Sequence, residues 1–330
     1  MQNRLSKLLN TKAENVVNTP AVVFSFLEGN ESFPLVVSQK SSGLILSKWV
    51  KEAKDEFDRQ LSRYGALLFR KFQINTVEKF QDFIASFEAS PLQYRQRSSP
   101  RFEVAKNIYH STTYPPDQAI NMHSENSYAL NWARKIVFCC ILPAKEQGET
   151  PIADNRLVIK NLSENTRNKF LEKGIKYVRN ISKGAGLSWE EVFQTDNRKE
   201  VEDECINGGM NFKWIDDERL ILSWNNKAIY NHPDTLEQIW FNHAFFFNKY
   251  ALEEEILSSF ESDDDLPFNT YFGDGSEISR EEIEEIRLAY KKATVLFPWE
   301  KGDVLFLDNM LFSHGRSPYK GDREILVSMF

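Results

Sequence analysis

A histidine and a glutamate two positions apart, His123 and Glu125, and the distant His314 place the strongest constraint on how this chain can fold. In an extended segment, residues i and i+2 point to the same side, so His123 and Glu125 can converge on one ion. Two imidazoles and one carboxylate can occupy one face of an Fe(II) octahedron and leave three positions open. The sequence therefore predicts a fold that brings the C-terminal part of the chain beside His123.

The residues around His314 support this prediction. His314 is followed by Arg316 and, nine residues later, by Arg323. A planar guanidinium with a permanent charge suits the carboxylate of an acidic co-substrate. An ion pair between Arg323 and a core carboxylate is the alternative, because an unpaired guanidinium in an apolar strand would be costly. Asp308 and Asn309 either orient His314 by a hydrogen bond or close a polar turn.

Composition limits the classes of protein to consider. The chain has 330 residues, 41% of them hydrophobic and 25 of them Phe, which is ample for a substantial core. A net charge of −7 argues against a nucleic-acid partner. Three cysteines, no leader-like N-terminus and no apolar run of membrane-spanning length predict a cytoplasmic protein with no membrane partner. A small-molecule partner fits better, and the oligomeric state is left open.

The order of predicted elements favours an α+β fold with a double-stranded β-helix (jelly roll) core and flanking and inserted α-helices. We expect a single domain over residues 1–330. It would consist of an N-terminal arm at 1–45, a helical and strand flank at 46–106, and a jelly-roll core at 107–330. A helical insert is expected within that core, at about 160–290.

Hydrophobic periodicity locates individual elements. Helices over residues 47–65 and 76–91 are expected to pack outside a sheet. Residues 135–142 are predicted to form a central strand, on which Cys139 and Cys140 point to opposite faces and serve core packing. Two further helices are predicted from capping boxes: Ser188 with Glu191, and Ser279 with Glu282.

The stretches 123–128, 147–154 and 239–242 and the tail 314–329 resemble the taurine dioxygenase-like (TauD/TfdA) branch of Fe(II)/2-oxoglutarate oxygenases. Within this branch the chain is most similar to members associated with nonribosomal peptides and amino-acid modification. These share the H-x-E variant with clavaminate synthase and asparagine oxygenase. The resemblance extends from about residue 64 to the C-terminus. Many relatives have Asp where Glu125 stands, and the position of the arginine varies among them.

The resemblance implies roles for individual residues. It gives three iron ligands and catalytic residues: His123, Glu125 and His314. It makes Arg323 and Thr150 the clamp for the distal carboxylate of 2-oxoglutarate, with Arg316 as a weaker candidate for the same role. Four residues are expected near the substrate: Asn126, Tyr128, Asn242 and His243. For His243, packing in an aromatic cluster is the alternative.

The activity implied by the resemblance is that of a dioxygenase that uses Fe(II), 2-oxoglutarate and O2. It would hydroxylate an unactivated C–H bond of an amino acid or amino-acid-derived molecule, free or tethered to a carrier protein, and release succinate and CO2. Relatives that halogenate lack the ligand carboxylate, so Glu125 implies hydroxylation or desaturation. A Zn(II) jelly-roll hydrolase or isomerase with the same ligands and a non-catalytic binding module are the alternatives.

Overall fold

The computed structural model describes residues 21–87, 103–129, 131–182 and 186–330, and in these ranges the chain is a mixed α/β protein. The strands are β1 (Val22–Phe26), β2 (Leu35–Gln39), β3 (Ala66–Arg70), β4 (Glu103–Ala105), β5 (Ile108–His110), β6 (Ile120–His123), β7 (Lys135–Leu142), β8 (Glu146–Gln147), β9 (Ile152–Asp154), β10 (Ile175–Ile181), β11 (Asn211–Trp214), β12 (Leu220–Asn226), β13 (Ile229–Asn231), β14 (Gln238–Trp240), β15 (Phe268–Phe272), β16 (Thr294–Val295), β17 (Val304–Asp308), β18 (Phe312–Arg316), β19 (Tyr319–Lys320) and β20 (Glu324–Met329).

The helices lie mainly before β4 and between β9 and β16. They are α1 (Leu46–Glu52), α2 (Lys54–Tyr64), α3 (Val77–Ile84), α4 (Asn155–Asn161), α5 (Glu164–Lys173), α6 (Trp189–Phe193), α7 (Arg198–Asn207), α8 (Glu254–Leu257) and α9 (Arg280–Ala293). Short 3-10 turns occur at Lys249–Ala251 and Asp263–Asp265. Within the described ranges, no helix combines the length and the apolar character that crossing a bilayer requires.

The largest sheet has eight strands in the order β1-β2-β3-β17-β7-β20-β5-β4, and only the β2–β3 pair is parallel. The predicted central strand is confirmed, because β7 covers residues 135–142 and lies between β17 and β20. The sheet begins with β1 and β2, which lie in the segment that the sequence pattern assigned to an arm. Both are five residues long and too short to be recognised by periodicity alone.

Both faces of β7 are buried. Phe138 and Cys140 pack against Phe312 of a second sheet, whereas Cys139 joins Phe57 and Phe80 of α2 and α3 on the opposite face. The prediction that the early helices pack outside a sheet is therefore confirmed. The prediction that the two neighbouring cysteines serve core packing is confirmed as well, since both thiols are fully buried.

The second sheet carries the predicted metal-binding segments. It has four strands in the order β16-β9-β18-β6, and its residues Ile152 and Phe312 face the eight-stranded sheet. A third sheet, in the order β11-β12-β10-β15, occupies the region where an insert was expected. That region is therefore not only helical. Its strands and helices enclose a separate core around Phe170, Tyr177 and Trp240.

The helices follow their predicted starts better than their predicted ends. The single helix expected over 47–65 is two helices, α1 and α2, which meet at Ala53 (φ −112°, ψ 34°). The apolar period continues through this break, so the sequence does not reveal it. The predicted helix start at residue 76 is confirmed, since Thr76 caps α3 by accepting a hydrogen bond from the Lys79 N–H. However, α3 ends at Ile84, before the expected end at 91, a position outside the described residues. Both predicted capping boxes are present.

Candidate metal centre

Two histidines oppose each other on adjacent strands. β6 and β18 pair antiparallel with His123 in register with His314, and the two imidazole centroids lie 4.4 Å apart. Glu125 brings its carboxylate to the same place, so that one ligand atom from each of the three residues lies within 4.8 Å of the others. Two imidazoles and one carboxylate form a donor set that suits Fe(II) and leaves coordination positions open.

Glu125 reaches this position from a turn and not from an extended strand. β6 ends at His123, and the following residues form a turn in which Ser127 N–H donates to the Ser124 carbonyl at 3.2 Å. Asn126 adopts the left-handed conformation at φ 56°, which asparagine tolerates better than most residues. The two ligands converge as the sequence predicts, but the period-2 geometry expected from an extended strand is wrong beyond His123.

The side chain of Asn309 holds the backbone of Glu125. Its Oδ1 accepts from the Glu125 N–H at 2.8 Å, and its Nδ2 donates to the carbonyls of Glu125 at 2.9 Å and Ala133 at 2.8 Å. Asn309 is fully buried, so these three hydrogen bonds form where water cannot replace them. Asn309 therefore fixes the backbone of the candidate ligand Glu125, whereas the sequence suggested a role beside His314.

The Asp308 carboxylate makes contacts away from the three ligands. It accepts from Lys135 Nζ at 2.5 Å and from His232 Nε2 at 3.3 Å, and it also accepts from the Met310 N–H at 3.0 Å. Burial alone would raise the pKa of Asp308, but hydrogen bonds from His232 and Lys135 outweigh it and hold that pKa well below its usual range. Asp308 thus closes the polar turn after β17, which was one of the two predicted alternatives.

The tautomer of His123 is determined by a backbone carbonyl. Its Nδ1 lies 2.9 Å from the Asn121 carbonyl oxygen, which can only accept a hydrogen bond. Nδ1 therefore carries the proton, and Nε2 is the nitrogen that can bind a metal ion. Such hydrogen bonds fix the ring orientation of metal-binding histidines.

A buried polar network supports the opposite side of the centre. Asn155 Nδ2 donates to Ser124 Oγ at 3.0 Å, and Ser313 Oγ donates to Asn155 Oδ1 at 2.7 Å. Ser124 and Ser313 precede Glu125 and His314, and all three members of the network are fully buried. The network connects the turn after β6 to β18. Sequence reasoning missed Asn155, because its partners lie far away along the chain.

Arg323 and Thr150 lie together at one end of the centre. Arg323 donates from Nε to the Gly148 carbonyl at 2.9 Å and from a terminal nitrogen to Thr150 Oγ1 at 3.4 Å. Burial, and then the nearby charge of Arg316, lower the pKa of Arg323 to about 10. Within the described residues, no salt bridge neutralises Arg323. An acidic co-substrate would therefore find a partly desolvated cation beside a hydroxyl group.

Arg316 forms hydrogen bonds with the backbone of a neighbouring loop. Its guanidinium donates to the carbonyls of Tyr114 at 2.8 Å, Pro115 at 2.5 Å and Gln118 at 2.5 Å, and the residue is only 3% exposed. Arg316 therefore holds the loop that leads into β6. This contact differs from the clamp role for which Arg316 was the weaker candidate.

These residues line one cavity of about 500 Å³. The wall includes the three candidate ligands together with Thr150, Arg316 and Arg323. The wall also includes the loop 111–115 and the residues that we call the aromatic wall: Phe246, Phe247 and Phe268. The cavity is large enough for a small organic substrate in addition to a co-substrate.

Of the four predicted substrate residues, the structure brings only His243 to this wall. Asn242 is buried, where it donates to the Ala228 carbonyl at 2.8 Å and accepts from Ala244 N–H at 2.9 Å. Tyr128 packs behind His243, with ring centroids 4.8 Å apart. Asn126 is buried in the turn after β6. None of these three is among the residues that line the cavity.

His243 is held from two sides. Its ring nitrogen Nδ1 lies 2.7 Å from Ser127 Oγ, and its backbone N–H donates to the Tyr177 hydroxyl at 3.0 Å. Burial, followed by the proximity of His123, lowers the pKa of His243 well below its usual range. His243 packs in an aromatic cluster with Phe247, as one of the two predictions has it, and it also lines the cavity. Its contact with a substrate stays a prediction.

Comparison with known proteins identifies relatives along nearly the whole chain. The chain is 38% identical over 306 residues to the dapdiamide synthesis protein DdaC of Enterobacter agglomerans, which covers 90% of this chain and 93% of that protein. It is 25% identical over 319 residues to a clavaminate synthase-like protein of Arabidopsis thaliana, which covers 91% of this chain and 94% of that protein.

The fold is similar to that of a solved oxygenase structure. The crystal structure of PvcB from Pseudomonas aeruginosa matches with a TM-score of 0.57 at 13% identity, covering 96% of this chain and 94% of the other. PvcB is described as an Fe, alpha-ketoglutarate dependent oxygenase from an isonitrile synthetic pathway. The model of the family named "Taurine catabolism dioxygenase TauD, TfdA family" matches residues 31–329. The chain belongs to the TauD/TfdA family and is an Fe(II)/2-oxoglutarate-dependent oxygenase.

Proposed function

We propose that this oxygenase hydroxylates an unactivated C–H bond of an amino acid or an amino-acid-derived small molecule, with release of succinate and CO2. The observation that carries the proposal is that the three candidate ligands, Arg323 and Thr150 line one cavity. The names of the relative DdaC and of the structural neighbour PvcB support the substrate class, since DdaC is a dapdiamide synthesis protein and PvcB comes from an isonitrile synthetic pathway. A carrier-bound form of the substrate and a cytoplasmic location stay predictions.

His123, Glu125 and His314 would hold the iron. His123 presents Nε2 because Nδ1 donates to the Asn121 carbonyl, and Asn309 holds the backbone of Glu125. When bound, iron supplies the activation of O2 that couples decarboxylation of 2-oxoglutarate to oxidation of the substrate. The protein residues contribute the placement of the ligands and the exclusion of water.

Arg323 and Thr150 would bind the distal carboxylate of 2-oxoglutarate. Trp299 Nε1 donates to Thr150 Oγ1 at 3.1 Å, and Arg323 donates to the same oxygen at 3.4 Å. Because this oxygen already accepts two hydrogen bonds, the Thr150 proton is directed to another acceptor, and a carboxylate is a suitable one. The guanidinium of Arg323 adds the charge that the carboxylate requires.

The fold proposal concerns the two sheets that pack around the centre. We infer that the eight-stranded sheet and the β16-β9-β18-β6 sheet are the two faces of a double-stranded β-helix. Their shared core, which contains Phe138 and Phe312, supports this interpretation. The third sheet, with α5 to α7, would be an insertion into that core. A single domain over the whole chain and the predicted segment boundaries remain part of the same proposal.

The experiment is a reaction under 18O2 with Fe(II), 2-oxoglutarate and a panel of amino acids and their derivatives. Mass spectrometry should find one labelled oxygen in succinate and one in the hydroxylated product. Labelled succinate with a product that has lost two hydrogens and gained no oxygen would assign desaturation. Unlabelled succinate would refute the oxygenase reaction.

A further inference from the structure

Among the described lining residues, His243 is a buried polar side chain that is assigned neither to the iron nor to 2-oxoglutarate. The residue is 3% exposed, and Ser127 and Tyr177 hold it at Nδ1 and at the backbone N–H. Within the described ranges, no protein group forms a hydrogen bond with its Nε2. Because His243 lines the cavity, a ligand atom there could form a hydrogen bond with Nε2.

The surroundings of His243 are apolar and aromatic. Its ring centroid lies 5.2 Å from that of Phe246 and 4.8 Å from that of Phe247, and Phe247 stacks on Phe268 at 4.1 Å. Phe246 also approaches the candidate ligand His123, at 4.6 Å between ring centroids. The aromatic wall and His243 therefore face the part of the cavity next to the metal centre.

The charged groups of the cavity are assigned to other partners. Among the described lining residues, these are Glu125, Arg316 and Arg323. Glu125 belongs to the candidate metal site, Arg316 donates to three backbone carbonyls, and Arg323 lies beside Thr150. A substrate carboxylate placed against the aromatic wall would lose its hydration, and the described lining residues offer it no unassigned cation. The guanidinium of Arg179 stacks on Phe268 at 5.0 Å but does not line the cavity.

From this arrangement we infer that His243, positioned by Ser127, is a specificity-determining residue that binds an uncharged amide of the substrate. An amide offers both a donor and an acceptor, so it can pair with Nε2 in either tautomer. The inference rests on the proposed function and names the substrate class of the same cavity. The apolar part of the substrate next to the amide would lie along the aromatic wall.

The test compares substrates that differ only in an amide or a carboxylate. The pairs are asparagine with aspartate, glutamine with glutamate, and dipeptides that end in each of these. Stimulated succinate release is measured with the wild-type enzyme and with three variants. His243→Phe removes both nitrogens, His243→Gln keeps a hydrogen-bonding group near the position of Nε2, and Ser127→Ala removes the support at Nδ1.

We expect an amide to be preferred over its paired acid in kcat/KM. His243→Phe should lower kcat/KM for the amide by about tenfold, mainly through KM, as expected for one lost hydrogen bond. His243→Gln should retain most of the preference. Ser127→Ala should weaken it, whereas the matched control Ser328→Ala, which removes a buried hydroxyl on β20 that does not line the cavity, should not.

Equal stimulation by both members of every pair, a preference for the acids, or no stimulation by any member would overturn the inference. So would an unchanged preference in His243→Phe. The proposed function is tested separately, by measuring the visible charge-transfer band that the protein should give with Fe(II) and 2-oxoglutarate in the absence of oxygen. A normal band together with no preference for amides would contradict only the inference about His243. A missing band would contradict the proposed function.

Discussion

His123 and His314 are register partners on adjacent antiparallel strands, so β6 and β18 must pair before the two imidazoles can meet. The pairing has an irregularity just after His314, where the register shifts before Arg316 reaches Ile120. The candidate metal centre is thus a property of strand pairing, and Glu125 joins it through a separate turn. Changes to the ligands and changes to their supports should therefore have different consequences.

Replacing any of the three candidate ligands should abolish turnover. His123→Ala, Glu125→Ala and His314→Ala are each expected to weaken Fe(II) binding by at least about tenfold, because each removes one of three donors that the fold holds in place. Binding is measured by anaerobic titration. The control is His110→Ala, since His110 lies on β5 and does not line the cavity. Wild-type affinity in all three variants would eliminate the assignment.

Replacing Arg323 and replacing Arg316 should have different effects on 2-oxoglutarate binding. Arg323→Ala should weaken 2-oxoglutarate binding by about 2–5 kcal/mol, the range for truncating one partner of a buried charge pair. Arg316→Ala should weaken it less, because Arg316 donates to the carbonyls of the 114–118 loop. We expect faster proteolysis of that loop instead. If Arg316→Ala has the larger effect on 2-oxoglutarate affinity, Arg316 is the clamp.

Asn309→Asp should damage the metal centre through the backbone of Glu125. The substitution removes two donated hydrogen bonds, to the carbonyls of Glu125 and Ala133. A loss of about 1–3 kcal/mol in the free energy of unfolding is expected for buried groups left unpaired. Iron affinity should fall as well.

Asn242→Asp is the matched control for this variant. Asn242 is equally buried and also donates from its side chain to a backbone carbonyl, that of Ala228, but it does not contact a candidate ligand. Urea unfolding and iron titration are compared for both variants. A parallel loss of iron affinity in both would show that Asn309 acts only through global stability.

Glu125 should determine the reaction outcome. As the proposed carboxylate ligand, Glu125 would fill the position that a halide needs, so the wild-type enzyme at high chloride concentration should give only hydroxylated or desaturated product. One succinate should form for each substrate consumed. Mass spectrometry shows whether the product is hydroxylated, desaturated or chlorinated. A chlorinated product would disprove the role proposed for Glu125.

The cysteines should be unreactive in the folded protein. Burial raises the pKa of the Cys140 thiol to about 12, and burial likewise raises the pKa of Cys205 to about 12. The thiolate is the nucleophile, so at about pH 8.5, the ordinary pKa of a thiol, both groups stay protonated in the folded chain and titrate only after unfolding. A disulfide reagent should detect the thiols in denaturant and not in buffer. Rapid reaction of the native protein would contradict the buried positions.

Local sequence patterns predicted much of the candidate site, because its main residues lie in short recognisable segments. His123 and Glu125 are close together along the chain, and His314 precedes two arginines. The supports were not predictable in this way. Asn309 contacts Glu125 across 184 residues, and Asn155 contacts Ser313 across 158 residues. A buried asparagine has no local signal that distinguishes it from an asparagine in an exposed turn.

For the fold, too, only the elements with a local sequence signal could be predicted. The long apolar strand β7 and the capped helices were predictable because each carries its own signal. The strands β1 and β2 are too short to carry a clear pattern, and the sheet around β10 depends on partners far away along the chain. The break at Ala53 does not interrupt the apolar period of α1 and α2, so a pattern-based prediction joins them.

The central claim is that His123, Glu125 and His314 bind Fe(II) beside a 2-oxoglutarate site at Arg323 and Thr150. Its most direct test is an anaerobic titration of the wild-type protein with Fe(II) and 2-oxoglutarate, followed by visible absorption. We expect a weak metal-to-ligand charge-transfer band that saturates with both components, is lost in His314→Ala and needs more 2-oxoglutarate in Arg323→Ala. No band in the wild-type protein, or a band of wild-type strength in His314→Ala, would contradict the claim.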